Sequence, residues 1–141
     1  MSLGIFEAGE DYDGSLLAMI HGTRTSSAVT SDESMSIGSY EPEGQTVALH
    51  SLCVHPGWRA RGLGTRVLRE YLRRMENEHG VERVALIAHD QLVPFYERYS
   101  EARPQLTSRS GFVNHGKSES RHGGVTWYDC IYTFKRTKQA S

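Results

Sequence analysis

The sequence predicts an α/β fold, a mixed sheet with helices packed on it, and three observations carry that reading. Short apolar runs recur at Leu3–Ala8, Leu16–His21, Thr46–Val54, Val84–Ala88, Gly111–Gly116 and Trp127–Phe134, and polar or glycine-bearing stretches separate them. Gly64 to His79 places Val67, Leu68, Tyr71, Leu72 and Met75 at three- and four-residue spacing, which is one face of a helix. Leu49 to Gly64 carries a strand through a basic, glycine-containing turn directly into that helix. The expected order is strand, strand, strand, helix, strand, helix, strand, strand.

Each element has a local reason. Asp13-Gly14 is a hairpin signal between the first two strands. Gly22 to Gln45 is rich in Ser, Thr, Glu and Gly without apolar period, and reads as a long flexible loop. Arginines and glutamates fill the outer face of the first helix, and Gly80 is the expected stop. Val84–Ala88 is continuously apolar, as a strand buried on both faces would be. A short helix through Phe95, Tyr96 and Tyr99 follows, with Asp90 as cap and Pro94 tolerable only in its first turn. Ser100 to Ser110 is polar and unpatterned, and reads as an insertion.

Composition bounds the function. A chain of 141 residues with 38% hydrophobic content is long enough for one domain with a real core, so residues 1–141 are expected to form a single unit. The formal net charge is −1 and the pI near 6.6, which gives no broad basic surface for nucleic acid. No apolar run approaches the ~20 residues needed to cross a bilayer, and no secretory leader is evident, so a cytoplasmic protein is expected. Cys53 and Cys130 lie in apolar runs and read as two buried thiols in a reducing compartment, with a disulfide as the alternative.

The turn after the third strand carries the chemistry. A strand feeding a glycine-rich loop and a helix N-terminus gathers unpaired N–H groups and the positive end of the helix dipole, and this combination binds phosphate. Arg59-Ala60-Arg61-Gly62-Leu63-Gly64 fits the pattern (Gln/Arg)-x-x-Gly-x-(Gly/Ala) and resembles the cofactor turn of the GNAT acetyltransferases. Ala85 to Asp90 and Leu92 to Tyr99 look like the next strand and helix of that fold. Leu49-His50-Ser51-Leu52 together with Pro94-Phe95-Tyr96-Glu97-Arg98 resembles the arylalkylamine (serotonin) N-acetyltransferase branch, its fungal members in particular. Gly124 through Trp127-Tyr128-Asp129 resembles that branch's closing strand.

The resemblance spans about residues 3 to 135 and implies a mixed, mostly antiparallel sheet flanked by helices. Against that pattern the chain starts at the second strand, without the usual first strand and two helices. Ser100–Ser110 interrupts the passage to the Gly111-Phe112 strand. Vertebrate members of the branch carry two histidines on the central strand, where this chain has Ala48 and His50. What the resemblance implies is acetyl-CoA as cosubstrate and a small primary amine as acceptor, with no metal. Leu52, Cys53 and Val54 would hold the pantetheine arm, and Arg59, Ala60, Arg61, Gly62, Leu63, Gly64 and Thr65 would cradle the pyrophosphate.

Acetyl transfer makes three demands. An alkylammonium with a pKa near 10 is about a thousandfold protonated at pH 7, so the amine must lose a proton. The oxyanion needs donors, and the thiolate, pKa about 8.5, gains from a proton as it leaves. His50 suits the first task, directly or through water, and Tyr96 suits the third; the alternatives are a packed strand histidine and a core aromatic. His55 reads as a strand end, and Cys53 has no adjacent base that would make it a nucleophile. Met19, Met35 and Trp127 are pocket or packing residues. Asp129 faces solvent or a partner strand, or pairs with an amine. Two rival readings remain beside the enzyme: a degenerate member that binds CoA or acts as an interaction module, its unpaired sheet edges favouring a homodimer, and a transferase acting on protein or peptide amines.

Overall fold

In a computed structural model the structure describes residues 1–8, 14–36, 38–101 and 111–134, with backbone alone for 100 and 101. The order is β1 (Ser2–Phe6), β2 (Leu16–Thr25), β3 (Thr46–Val54), a 3₁₀ turn (Pro56–Trp58), α1 (Leu63–Glu76), β4 (Arg83–Ala88), α2 (Val93–Glu101), β5 (Phe112–Lys117), a second 3₁₀ turn (His122–Gly124) and β6 (Tyr128–Thr133). The strands form one sheet in the order β1-β2-β3-β4-β6-β5, antiparallel at every junction except β3–β4. Asp13 and most of the Ser100–Ser110 stretch lie outside the described residues.

The parallel junction is short. Thr46, Val47 and Ala48 pair with Arg83, Val84 and Ala85, and there the pairing stops. A bulge explains where β3 turns away. Leu49 faces Gly22 and Ser51 faces His21 on β2, so His50 is the extra residue, and a bulge bends and overtwists its strand. Beyond Ala48 the edge of β3 that would meet β4 has no strand partner, while β4 continues paired to β6 as far as Ala88.

Helix α1 buries Leu63, Val67, Leu68, Tyr71, Leu72 and Met75, the expected face with one residue added. It lies directly on β2, because a Cβ at Gly22 would stand 2.7 Å from the Tyr71 hydroxyl and 2.9 Å from Val47. Only glycine permits that approach. On the outer face Glu70 accepts from both Arg73 and Arg74, which leaves these arginines engaged on the helix surface. Around α2 an aromatic cluster forms: Tyr96 and Tyr99 meet Phe112 of β5, and Tyr99 also meets Tyr132 of β6, all edge-on at 5.4–6.3 Å between ring centres.

Several sequence expectations need correction. The helix ends at Glu76 with Asn77 as its cap, and Gly80 falls in the following turn. The turn before α2 is closed by the His89 carbonyl, which accepts from Leu92 and Val93, rather than by Asp90. Pro94 is the second helical residue, where its missing N–H costs nothing. β2 runs four residues past His21, to Thr25, so the loop between strands starts later than composition suggested. Much of what remains is tied down. Buried Arg24 donates to the carbonyls of Gly44 and His79, and Glu41 accepts from Thr25 and from both the amide and hydroxyl of Ser26. Composition could not show these bonds, because the partners come from opposite ends of the segment.

Candidate active site

The turn after β3 has the backbone geometry of an anion cradle. His55 caps the 3₁₀ turn by accepting from the Gly57 amide, so it ends the strand as expected. Ala60 has φ of 60° and Gly62 has φ of 78°, which redirects the chain into α1. The first helical hydrogen bond runs from the Arg66 amide to the Gly62 carbonyl. None of the amides from Ala60 to Thr65 donates to another described residue. A 14-residue helix therefore presents its positive end and a run of free N–H groups at one place.

These groups open on a cavity of about 450 Å³. Its walls come from Leu52, Cys53 and Val54 of β3, from Trp58, Arg59 and Ala60 of the turn, from Gly62 to Thr65 at the helix start, and from Leu92, Phe95 and Tyr96. Every residue expected to touch the cofactor borders it except Arg61, whose guanidinium sits 4.6 Å from the Trp58 ring. Trp58, Leu92 and Phe95 are wall residues that sequence reasoning missed, and no spacing rule marks them. Cys53 is exposed, which corrects the expectation of two buried thiols, whereas Cys130 is buried and its thiol is pushed up to about 11. Cys53 stands beyond the last β3–β4 pair, borders the cavity and has no sulfur partner.

The two expected catalytic side chains occupy different environments. Tyr96 is 8% exposed and borders the cavity, and its hydroxyl makes no hydrogen bond with a described residue. Burial, with the Cys130 and Cys53 thiols adding to it, pushes its pKa up to about 12, so the phenol stays protonated. His50 lies two residues before the cavity wall on the bulge of β3 and does not itself border the cavity. Its Nε2 is buried without a partner among the described residues, and its ring stands 5.4 Å from that of His21. Burial first, then the His21 ring and the Met1 ammonium, hold its pKa below the ordinary histidine value. It is therefore neutral at pH 7, the state a base requires.

The remaining candidates lie elsewhere. Met19, Met35 and Trp127 do not border the cavity; Trp127 stacks on His89 at 4.0 Å and donates to the His122 carbonyl. Asp129 is half-buried on β6 rather than facing solvent, and its Oδ1 has no partner among the described residues. No described helix is long and apolar enough to cross a membrane.

Splayed strands, a turn of unengaged amides and a protonated phenol thus meet on one cavity. The family model "Acetyltransferase (GNAT) family" matches residues 5–100, and the chain belongs to that family. It is similar to serotonin N-acetyltransferase of Homo sapiens, at 37% identity over 71% of this chain and 45% of the relative, and to that of Mesocricetus auratus, at 36% over 70% and 44%. The chain thus spans less than half the length of the curated relatives it matches. Among solved structures it is similar to a GphF GNAT-like decarboxylase in complex with isobutyryl-CoA, with TM-score 0.60, 17% identity, and coverage of 88% of this chain and 75% of the other. That likeness shows the fold alone.

Proposed function

We propose that this chain transfers acetyl from acetyl-CoA to a small primary amine, an arylalkylamine or polyamine, by direct attack in a ternary complex. The observation that carries it is the run of unengaged amides from Ala60 to Thr65, opening on the cavity that Tyr96 also borders. Pyrophosphate oxygens would accept from these amides, and the pantetheine arm would run along the unpaired edge of β3 at Leu52–Val54. This edge supplies strand N–H groups that would polarise the thioester carbonyl.

Amine attack expels the CoA thiolate, and the Tyr96 phenol protonates it. With its pKa raised to about 12 the phenol keeps its proton at pH 7 and offers a hydrogen bond to the thiolate as charge develops on sulfur. His50, neutral and with an orphan ring nitrogen, would take the amine's proton through an intervening water. A curated relative named as a serotonin N-acetyltransferase at 37% identity supports an amine acceptor.

Calorimetric titration with acetyl-CoA, followed by thiol release with tryptamine, serotonin and spermidine, tests this reading. Micromolar-to-millimolar binding and turnover lost in Tyr96→Phe are expected. Binding without turnover on any amine would favour a CoA-binding module instead, and acetylation confined to a peptide array would favour a protein-directed transferase.

A further inference from the structure

The thiol of Cys53 has no task in the proposed reaction. It belongs to an exposed residue beyond the last β3–β4 pair, on the wall of the cavity that the Ala60–Thr65 amides face. Cys130, the second cysteine, is 0% exposed and does not border that cavity. A ligand entering the cavity therefore meets one thiol.

Tyr96 says what kind of ligand atom reaches that thiol. The residue is 8% exposed and borders the same cavity. Its hydroxyl makes no hydrogen bond with a described residue and is not shielded from solvent, so it opens on the cavity. Buried hydroxyls are almost always hydrogen-bonded, so this one points to a ligand atom. After burial, which comes first, the Cys130 and then the Cys53 thiol raise the phenol's pKa, which sets both thiols around Tyr96. A sulfur that accepts from Tyr96 therefore stands beside Cys53. At its other end such a ligand is held by the unengaged amides of the turn, which call for a diphosphate.

We propose, resting on the acetyl-CoA reading above, that Cys53 is a modification site that takes CoA from CoA disulfide as a mixed disulfide. The Cys53 thiolate attacks the sulfur of the bound CoA half. The S–S bond of CoA disulfide breaks, a Cys53–S–S–CoA bond forms, and the second CoA leaves as its thiolate. The Cys53 proton goes to solvent and the departing thiolate takes one up. Cys53 is oxidised to the extent that one CoA sulfur is reduced. Holding the two sulfurs together turns a bimolecular exchange into a reaction within one complex, so Cys53 needs no base beside it. The tethered CoA fills the cofactor site until a thiol reductant releases it, so oxidised CoA switches the site off.

The full chain is incubated with CoA disulfide and, separately, with pantethine, which has the same reacting disulfide without the diphosphate and adenosine. Intact mass and peptide mapping read the adduct. CoA disulfide should place one CoA on Cys53 and none on Cys130, at least about a hundredfold faster than pantethine at equal concentration. Excess acetyl-CoA should protect Cys53, and dithiothreitol should remove the adduct. Cys53→Ser should take up no CoA, and the peptide map of wild type gives the same assignment without a variant. Gly62→Val should slow labelling by CoA disulfide about tenfold and leave the pantethine rate unchanged, because only the former uses the turn. Equal rates for the two disulfides, or an adduct elsewhere than Cys53, in a chain that binds acetyl-CoA by calorimetry would overturn this proposal and leave the acetyltransferase reading intact. Absence of acetyl-CoA binding in wild type would sink that reading and this proposal with it.

Discussion

Two cavities of the molecule are opposites. The first is made of backbone donors from one continuous stretch, Ala60 to Thr65, and calls for an anion. A second, of about 630 Å³, is lined by side chains from two distant regions, residues 29–33 and residues 117–129, and carries the carboxylates of Asp32, Glu33, Glu119 and Asp129. A donor set on a turn and helix start is created by local geometry and tolerates almost any side chain. An acceptor set gathered across the fold depends on each side chain and on the contacts that hold it. Mutations should therefore act through conformation at the first cavity and through side-chain identity at the second.

The sharpest exception should be Tyr96, the one side chain at the first cavity given a task in acetyl transfer. Tyr96→Phe is expected to lower kcat by roughly 10²–10³-fold, the usual scale for a lost general acid. Acetyl-CoA affinity should change little. Its hydroxyl makes no hydrogen bond with a described residue, so the melting temperature should not fall. A kcat within threefold of wild type in steady-state assays would reduce Tyr96 to a packing residue.

Backbone conformation comes next. At Gly62 φ is +78°, and no atom stands within 4 Å of an added Cβ, so a substitution there is penalised by the backbone and not by crowding. Gly62→Val should weaken acetyl-CoA binding by about tenfold, since left-handed φ costs a branched residue roughly 1–2 kcal/mol. Arg66→Ala, which keeps the amides in place, should weaken it less than twofold. Equal losses in a binding titration would show that the cation, and not the turn, holds the phosphate.

A smaller effect separates His50 from its neighbour. Burial comes first in holding its pKa down, and the His21 ring comes second. If His50 is the base, activity requires its neutral form, so kcat/KM falls as pH drops through a midpoint below the ordinary histidine value of about 6.5. His21→Asn removes part of the repulsion and should move that midpoint up towards 6.5, while His50→Gln should abolish it. The stability sign agrees: with a folded pKa below the unfolded one, His50 penalises folding as pH falls through 6.5 and downward. An acid limb unchanged in both variants would assign the titration elsewhere.

Ala60 should give the smallest response. It alone among the described non-glycine residues has positive φ. Ala60→Gly relieves that strain at a cost in unfolded-chain entropy, so urea denaturation should show a stability change of no more than about 1 kcal/mol, in the stabilising direction.

Contiguous residues encode what their own period and dihedrals can set. The amphipathic face from Val67 to Met75, the strand ending at Val54 and the turn Arg59–Thr65 all follow from period and local conformation, so the first cavity's floor was legible before any fold. Contacts between distant segments set the remainder. Where β4 leaves β3, after Ala48, follows one bulge that no spacing announces, and the exposure of Cys53 depends on what packs over its face of the sheet. Trp58 and Phe95 became walls because two elements converge on the splay. Thr30 and Asp129 meet one cavity through a loop pinned by Arg24, Glu41 and the Asp32–Ser120 bond. Short-range order is set by neighbouring dihedrals and side-chain period, whereas such juxtapositions arise only when distant segments compete for the same face of the sheet.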